Sequence, residues 1–196
     1  MSELQDNDGG RFEDHVDRVV QQWAQVRPHL DTAPMALVAR LGRAASYADA
    51  RINEGLSAFG LTRPSWDVLA SLRRSGEPYR LSPTTLYRGL MRTSGAMTHR
   101  LARLQRAGLI RRVADPGDNR SRLVELTPKG LALVDRIAPV HLENERRLLS
   151  ALDRNEQREL AALLKTLLGS LERERPVPPP SGTGGRHRRR QPKRAE

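Results

Sequence analysis

The stretch SGAMTHRLARLQRAGLIRRV, residues 94–113, decides the fold of this chain. Its apolar residues Met97, Leu101 and Leu104 recur at helical spacing, and Gly108 stands where a helix of that length would end. Since successive helical residues are separated by about 100°, these three side chains form one stripe along the helix. The pattern predicts an amphipathic helix that packs this stripe against a core and leaves its other side open.

The side opposite the stripe carries residue types that read DNA. Gly95 is small enough to let a helix approach a base-pair edge closely, and His99 and Arg103 have groups that donate or accept hydrogen bonds. A solvated helix face is the alternative interpretation of a polar side of this kind. We expect the DNA contacts from this helix to come from Ser94, Gly95, Thr98, His99 and Arg103.

A short helix is predicted just upstream of this segment. Ser82 and Pro83 have the residue types of an N-cap and a first helical position, and the helix they begin ends near Leu90. Two helices joined by about four residues form a helix-turn-helix candidate. The helix from Ser94 is then the one that enters the DNA groove.

A β-hairpin is predicted just downstream. LIRRV and RLVEL resemble short strands around the turn ADPGDNRS, residues 114–121, which is the arrangement called a wing. Arg120 and Arg122 lie at or beside its tip. A basic loop next to a recognition helix commonly reaches phosphate or the minor groove, so we expect both arginines to contact DNA.

Two arginines do not belong to the DNA-facing side. Arg100 lies about 40° from Leu104, at the edge of the apolar stripe, and alternation along the next strand places Arg112 on the side of Ile110. A buried arginine needs a counter-charge, which Asp67 is able to supply. The alternative is that Asp67 only favours its helix N-terminus and that both arginines extend to solvent.

Helical periodicity resumes on both sides of this compact unit. Upstream, apolar residues predict one helix over residues 12–26 and a longer one that closes at Gly60. Downstream, periodic leucines run from Leu131 to about Leu171. These terminal helices have apolar stripes but little of their own domain to cover, so we expect a homodimer.

The predicted fold class is mainly α with a small β wing, a winged helix-turn-helix in a helical dimer scaffold. The first segment is polar, and the last combines proline, glycine and arginine with almost nothing apolar to bury. The expected divisions are a disordered N-terminus at 1–11, dimerisation and ligand-pocket helices at 12–60, a DNA-binding lobe at 61–127, dimerisation helices at 128–172 and a disordered basic tail at 173–196.

Composition favours a polyanionic partner, either nucleic acid or an acidic membrane surface, and gives no sign of an enzyme. The net charge is +11 with a pI near 11.2, and roughly half of the excess lies in the tail, where it is either a phosphate-binding or a merely solvated segment. Cysteine is absent, the histidines lack metal-ligand spacing, and no nucleophile or phosphate-loop motif occurs. We therefore expect a cytoplasmic protein without cofactor or membrane contact.

The run from residue 94 to 130, with its signature DNR…LVELTPKG from Asp118 to Gly130, resembles the recognition helix and wing of the MarR family of transcriptional regulators. The resemblance extends over roughly residues 12 to 172. It implies a homodimer in which N- and C-terminal helices form the interface and two winged lobes grip one DNA duplex.

A narrower resemblance concerns the urate-responsive branch of that family, the PecS- and MftR-like regulators. The helix with Trp23, the following RPHLD and the later SWDVLASLRR carry it. In that branch a tryptophan, an aspartate and two arginines form the ligand site, and the resemblance assigns these roles to Trp23, Asp67, Arg100 and Arg112. A packing aromatic is the alternative role for Trp23.

The expected function is a ligand-responsive DNA-binding regulator, a repressor released from a pseudo-palindromic operator by urate or a related small anion. The expected partners are double-stranded DNA, this small anion and a second copy of the chain. The alternative is a constitutive or architectural DNA-binding protein without a ligand. A helical protein-interaction module explains the terminal helices but not the wing.

Overall fold

The computed structural model describes residues 12–90 and 94–174, except for the side chains of Ser94, Gly95, Asn119 and Arg120. The predicted disordered N-terminus at 1–11 and the basic segment after Glu174 lie outside these residues. The chain divides after Ile52 into two compact units. Within the described part of the chain, no helix combines the length and the apolar character that crossing a membrane requires.

The first unit is built from helix α1, His15–Val26, and most of helix α2, Ala33–Ser57. Asp14 begins α1 with a capping box, because its Oδ1 accepts hydrogen bonds from the N–H groups of Val16 and Asp17 while Asp17 bonds back to the Asp14 N–H. The helix predicted at 12–26 is confirmed, with its start at His15 rather than at residue 12. Val16 is its one buried residue.

The second unit contains the winged helix-turn-helix. The elements are α3 (Arg63–Arg74), β1 (Arg80–Leu81), α4 (Pro83–Gly89), α5 (Ser94–Arg106), β2 (Ile110–Asp115), β3 (Asp118–Leu126), α6 (Pro128–Leu148) and α7 (Arg154–Glu174). The sheet has the order β1-β3-β2 with antiparallel pairing throughout, so the fold class predicted from sequence is confirmed.

The core of this unit is formed by helices α3 to α6 and strands β2 and β3. Each of these elements contributes apolar side chains that are almost completely buried. They include Val68, Leu69 and Leu72 of α3, Leu86 of α4, Met97, Leu101 and Leu104 of α5, Ile110 of β2, Val124 and Leu126 of β3, and Val134 and Ile137 of α6. This packing fixes the orientation of α5.

The wing differs from the prediction in the length of its strands. The predicted turn covered residues 114–121, but β2 runs to Asp115 and β3 begins at Asp118, which leaves Pro116 and Gly117 between them. Asp115 closes this tight turn by accepting a hydrogen bond from the Gly117 N–H at 3.0 Å. The polar turn residues therefore extend the hairpin, because a strand that leaves the core no longer needs apolar alternation.

The segment Thr127–Gly130 joins the wing to α6 and to the end of α5. Thr127 caps α6 by accepting from the Gly130 N–H, and its hydroxyl donates to the Gly108 carbonyl at 2.7 Å. A Cβ added at Gly130 would lie 2.0 Å from the Leu109 carbonyl oxygen, so only glycine fits there. The last turn of the recognition helix is thereby held against the first turn of α6.

Candidate nucleic-acid interface and ligand site

Helix α5 is oriented as its sequence predicts. Met97, Leu101 and Leu104 are only 2–3% exposed, and they hold one side of the helix against the core. The residues on the other side are exposed, namely Ala96, Thr98, His99, Ala102, Arg103 and Arg106. The side chains of Ser94 and Gly95 lie outside the described residues.

The surface around α5 has an excess of positive charge. From Pro83 to Ala114 the sequence contains seven arginines and no aspartate or glutamate. Helix α4 precedes α5 in this stretch, with the Ser82 hydroxyl capping it at Thr85 N and Leu86 anchoring it in the core. Exposed arginines of this stretch, such as Arg103 and Arg106 on α5, attract a phosphate backbone and oppose acidic partners.

The wing carries the second set of predicted contacts. Arg122 is exposed on β3, opposite Ala114 of β2, while the side chain of Arg120 lies outside the described residues. Asp118 stabilises the hairpin, since its Oδ2 accepts a hydrogen bond from the Ser121 hydroxyl at 2.8 Å. The wing thus presents at least one cation, Arg122, to solvent.

Arg111 has a role that sequence reasoning missed. On β3 the side chain of Glu125 is only 7% exposed, and it forms an ion pair with Arg111, whose Nε donates to Glu125 Oε1 at 2.9 Å. On the other neighbouring strand, Arg80 Nε lies 3.2 Å from Glu125 Oε2, close enough for an ion pair but without hydrogen-bond alignment. One buried carboxylate therefore joins all three strands through a row of opposite charges.

Arg112 lies on the other face of the same sheet. It pairs with Val124, which pairs in turn with Leu81, and Val124 is buried. Ile110 on this face is buried as well, but Arg112 itself is exposed. The aliphatic stem thus starts from the core face while the residue extends to solvent, which is one of the two alternatives left open by the sequence.

Asp67 and Arg100 are both half-buried in the same unit. The Nη1 atom of Arg100 is buried, which agrees with the predicted position at the edge of the apolar stripe. Each of the two residues takes part in a polar or electrostatic interaction within the protein. Asp67 is on α3 and Arg100 is on α5, so the helix that precedes the helix-turn-helix and the second helix of that motif each carry a predicted ligand residue.

Trp23 belongs to the first unit. Its side chain is 40% exposed near the end of α1. It lines an open cavity of about 640 Å³ together with Val26, Arg27, Pro28, His29 and Leu30. Its participation in a common site with Asp67, Arg100 and Arg112 stays a prediction.

A contact between α3 and α6 also escaped the sequence analysis. The buried Trp66 packs edge-on against His141, with ring centroids 5.1 Å apart. His141 Nε2 lies 3.3 Å from Glu145 Oε1 on the next turn of α6. Because Trp66 adjoins Asp67, this contact ties the start of α3 to the long helix that follows the wing.

No group of metal-binding side chains occurs among the described residues.

Comparisons with known proteins agree with this architecture. A family model for the MarR family matches residues 59–121. The transcriptional regulator PecS of Dickeya dadantii is 40% identical over 149 residues, which cover 76% of this chain and 90% of that protein. These relatives are transcriptional regulators, not enzymes.

Two solved structures resemble the fold. Sco3205, a MarR family regulator from Streptomyces coelicolor solved in complex with DNA, has a TM-score of 0.68 and 26% identity over 76% of this chain and 98% of its own. BpsR of Bordetella bronchiseptica, solved to explain how 6-hydroxynicotinic acid regulates its DNA binding, has a TM-score of 0.60 and 25% identity over 67% of this chain and 97% of its own. Together with the exposed, cationic side of α5, these matches lead to one conclusion: the chain belongs to the MarR family of DNA-binding transcriptional regulators.

Proposed function

We propose that this protein is a homodimeric repressor that urate, or a related small planar anion, releases from a pseudo-palindromic operator. The observation that carries the proposal is the position of Arg100. It lies on α5, the helix that reads DNA, but on the core side of that helix with a buried Nη1 atom. An anion that engages Arg100 therefore acts directly on the orientation of the DNA-reading helix.

DNA recognition in this proposal uses the exposed side of α5 and the wing. The N-terminal part of α5, from Ser94 to His99, enters the major groove, and Arg103 donates to a base edge. Arg120 and Arg122 of the wing contact phosphate or the minor groove. Arg106, on the last turn of α5, adds positive charge near the phosphate backbone of the DNA.

A second copy of the chain covers the apolar stripes of the terminal helices. Helix α7 exposes Leu160, Leu163, Leu167, Leu168 and Leu171, and α2 exposes Leu37, Val38, Leu41 and Tyr47. Apolar surface on this scale is rare on a monomer and typical of an interface. A two-fold dimer holds two α5 helices about one turn of DNA apart, so the half-sites lie roughly 10 base pairs from centre to centre.

The ligand site combines three kinds of groups. Urate is a planar monoanion at neutral pH, so it requires a flat apolar wall, cationic donors and an acceptor for its ring N–H groups. Trp23 supplies the wall, Arg100 and Arg112 supply the donors, and Asp67 supplies the acceptor. The exposure of Arg112 supports this assignment, since a solvent-facing guanidinium is free to receive a ligand at little desolvation cost.

Release follows from the different affinities of the two protein states for the ligand. The bound anion draws Arg100 and Arg112 toward itself, and this moves α5 relative to α3. A coupling free energy of about 1–3 kcal/mol would lower DNA affinity roughly 5- to 150-fold. A ligand that bound both states equally would have no effect on DNA binding.

The test is a titration of the purified protein against a fluorescent DNA fragment from its own upstream region, with and without urate. We expect the apparent Kd for DNA to rise with urate in the parent protein, and to rise less in Trp23→Ala, Asp67→Asn and Arg112→Ala. Each variant should fold and dimerise normally.

Two results would redirect the proposal. If DNA binding is the same at every urate concentration, the protein is the alternative, a constitutive or architectural DNA-binding protein. If urate releases all three variants at the same concentration as the parent, the protein responds to urate through a different pocket.

A further inference from the structure

Helix α1 is held at one end only within its compact unit. Val16 near its start is buried and Val19 and Val20 are half-buried, but every residue from Gln21 to Val26 is exposed. Trp23 lies in this exposed half. The direction in which α1 presents Trp23 is therefore set by contacts at the first two turns of the helix.

One arginine of α2 makes the strongest of these contacts. Arg40 Nε donates to Asp14 Oδ2 at 2.7 Å, and Arg40 Nη2 donates to Asp14 Oδ1 at 3.3 Å and to Asp17 Oδ1 at 2.5 Å. The guanidinium therefore binds two carboxylates, one on the N-cap residue of α1 and one in its first turn. A planar fork of donors with this geometry fixes both distance and angle, as a single ammonium group would not.

The same two carboxylates form the capping box that starts α1. Asp14 accepts from the Asp17 N–H at 2.9 Å, and Asp17 accepts from the Asp14 N–H at 2.9 Å. The hydrogen bond from Arg40 and the backbone N–H groups hold the pKa of Asp14 at about 2, well below its usual range. The Asp14 carboxylate thus stays charged at neutral pH, and its contact with Arg40 persists.

We propose that Arg40 is a positioning residue for the ligand site, because it fixes the angle of α1 on α2 and so aims Trp23 at the ligand. This inference rests on the proposed function, in which Trp23 forms the wall of the urate site. Six residues separate Asp17 from Trp23, which corresponds to about 9 Å along the helix axis. A tilt of roughly 20° at the contact would therefore displace Trp23 by about 3 Å, nearly the thickness of an aromatic ring.

The test compares Arg40→Gln with a matched control on the same helix. Arg43→Gln removes the same charge one turn away, where Arg43 stacks over Tyr47 of its own helix at 5.8 Å and makes no hydrogen bond to α1 among the described residues. Urate affinity is measured by calorimetry on the full-length protein. We expect Arg40→Gln to weaken urate binding roughly 3- to 10-fold, as befits a partly exposed charge network, and Arg43→Gln to leave it within twofold.

A readout at Trp23 separates positioning from general destabilisation. Trp66 is buried, so quenching of tryptophan fluorescence by acrylamide reports mainly on Trp23. Arg40→Gln should change this quenching while DNA affinity without ligand stays within twofold of the parent. Arg40→Lys keeps the charge but loses the planar guanidinium, so its acrylamide quenching should lie between that of the parent and that of Arg40→Gln. It serves as the second variant if Arg40→Gln folds poorly.

Double variants decide between this inference and the function beneath it. In a Trp23→Ala background, Arg40→Gln should weaken urate binding no further, because the residue that it positions is gone. If Trp23→Ala alone weakens binding and Arg40→Gln and Arg40→Lys do not, the positioning role is wrong and the proposed function stands. If Trp23→Ala has no effect on urate binding, the proposed ligand site fails and the role of Arg40 fails with it.

Discussion

Helices α5 and α7 carry the same kind of apolar stripe, but only the stripe of α5 is covered within one chain. Leu101 and Leu104 of α5 are 2% exposed, whereas Leu163 of α7 is 69% exposed. The winged lobe is therefore complete as a folding unit, and the terminal helices are not. The difference teaches that identical periodicity has two meanings, a core within the chain or an interface with a second one.

The sharpest way to separate these meanings is to make the same substitution in both stripes. Leu101→Ala should lower the free energy of unfolding by about 2–5 kcal/mol, because it leaves a cavity in a closed core. Leu163→Ala should cost far less in the fold and should instead raise the Kd of the dimer. Urea unfolding at two protein concentrations and sedimentation equilibrium measure the two effects. Equal losses of unfolding free energy would mean that α7 is packed within its own chain.

The exposed side of α5 has a prediction of its own. Arg103→Ala should cost about 1–3 kcal/mol of DNA-binding free energy and relax discrimination at one base pair. Arg122→Ala on the wing should weaken binding evenly across sequences, since phosphate contacts carry no sequence information. Binding measured on a panel of single-base operator variants distinguishes the two. An equal loss of affinity for every operator variant would mean that Arg103 contacts the DNA phosphates and not a base.

The row of charges across the sheet predicts a smaller effect on stability. Glu125→Gln keeps the volume of the side chain but leaves Arg80 and Arg111 facing each other without a counter-charge. We expect the free energy of unfolding to fall by about 1–2 kcal/mol. The loss is smaller than for a fully buried ion pair, because Arg111 is largely exposed and solvent screens its charge. The loss should shrink in about 1 M salt, which screens the exposed partner. An unfolding curve unchanged by the substitution would show that the row contributes nothing.

The smallest expected effect is the loss of stability at low pH that follows from protonation of Asp14. The pKa of Asp14 is about 2 in the folded protein, below its usual value, so its contribution to stability is present above about pH 4 and is lost as the pH falls toward 2. The helicity of α1 and the quenching of Trp23 should therefore not change between pH 7 and pH 5. An NMR titration of the Asp14 carboxyl checks this, and a midpoint near 4 would mean that Arg40 does not hold it. In Arg40→Gln the midpoint should move up toward that ordinary value.

The local parts of this architecture were predictable from sequence. Periodicity sufficed for α5, because Met97, Leu101 and Leu104 lie within one helix, and the cap residue Ser82 marked where α4 begins. Strand β1 was not predicted, because a strand of two residues, Arg80 and Leu81, is too short to show alternation.

Contacts between residues far apart in the sequence could not be predicted from local patterns. The partner of Arg111 depends on the register of β3, and Arg40 meets Asp14 across 26 positions, so neither pairing has a local signal. The side of Arg112 followed from alternation, but its exposure did not, since a long side chain is able to extend past the core. The four predicted ligand residues are divided between the two compact units, with Trp23 in the first and the others in the second.

We expect two copies of the chain to present two α5 helices to one DNA duplex. Hydroxyl-radical footprinting on DNA from the upstream region of the gene, combined with the mass of the complex in solution, tests it most directly. We predict two protected patches on one face of the duplex, roughly 10 base pairs apart, in a complex with two protein chains. Protection of a single half-site by one chain would contradict the account.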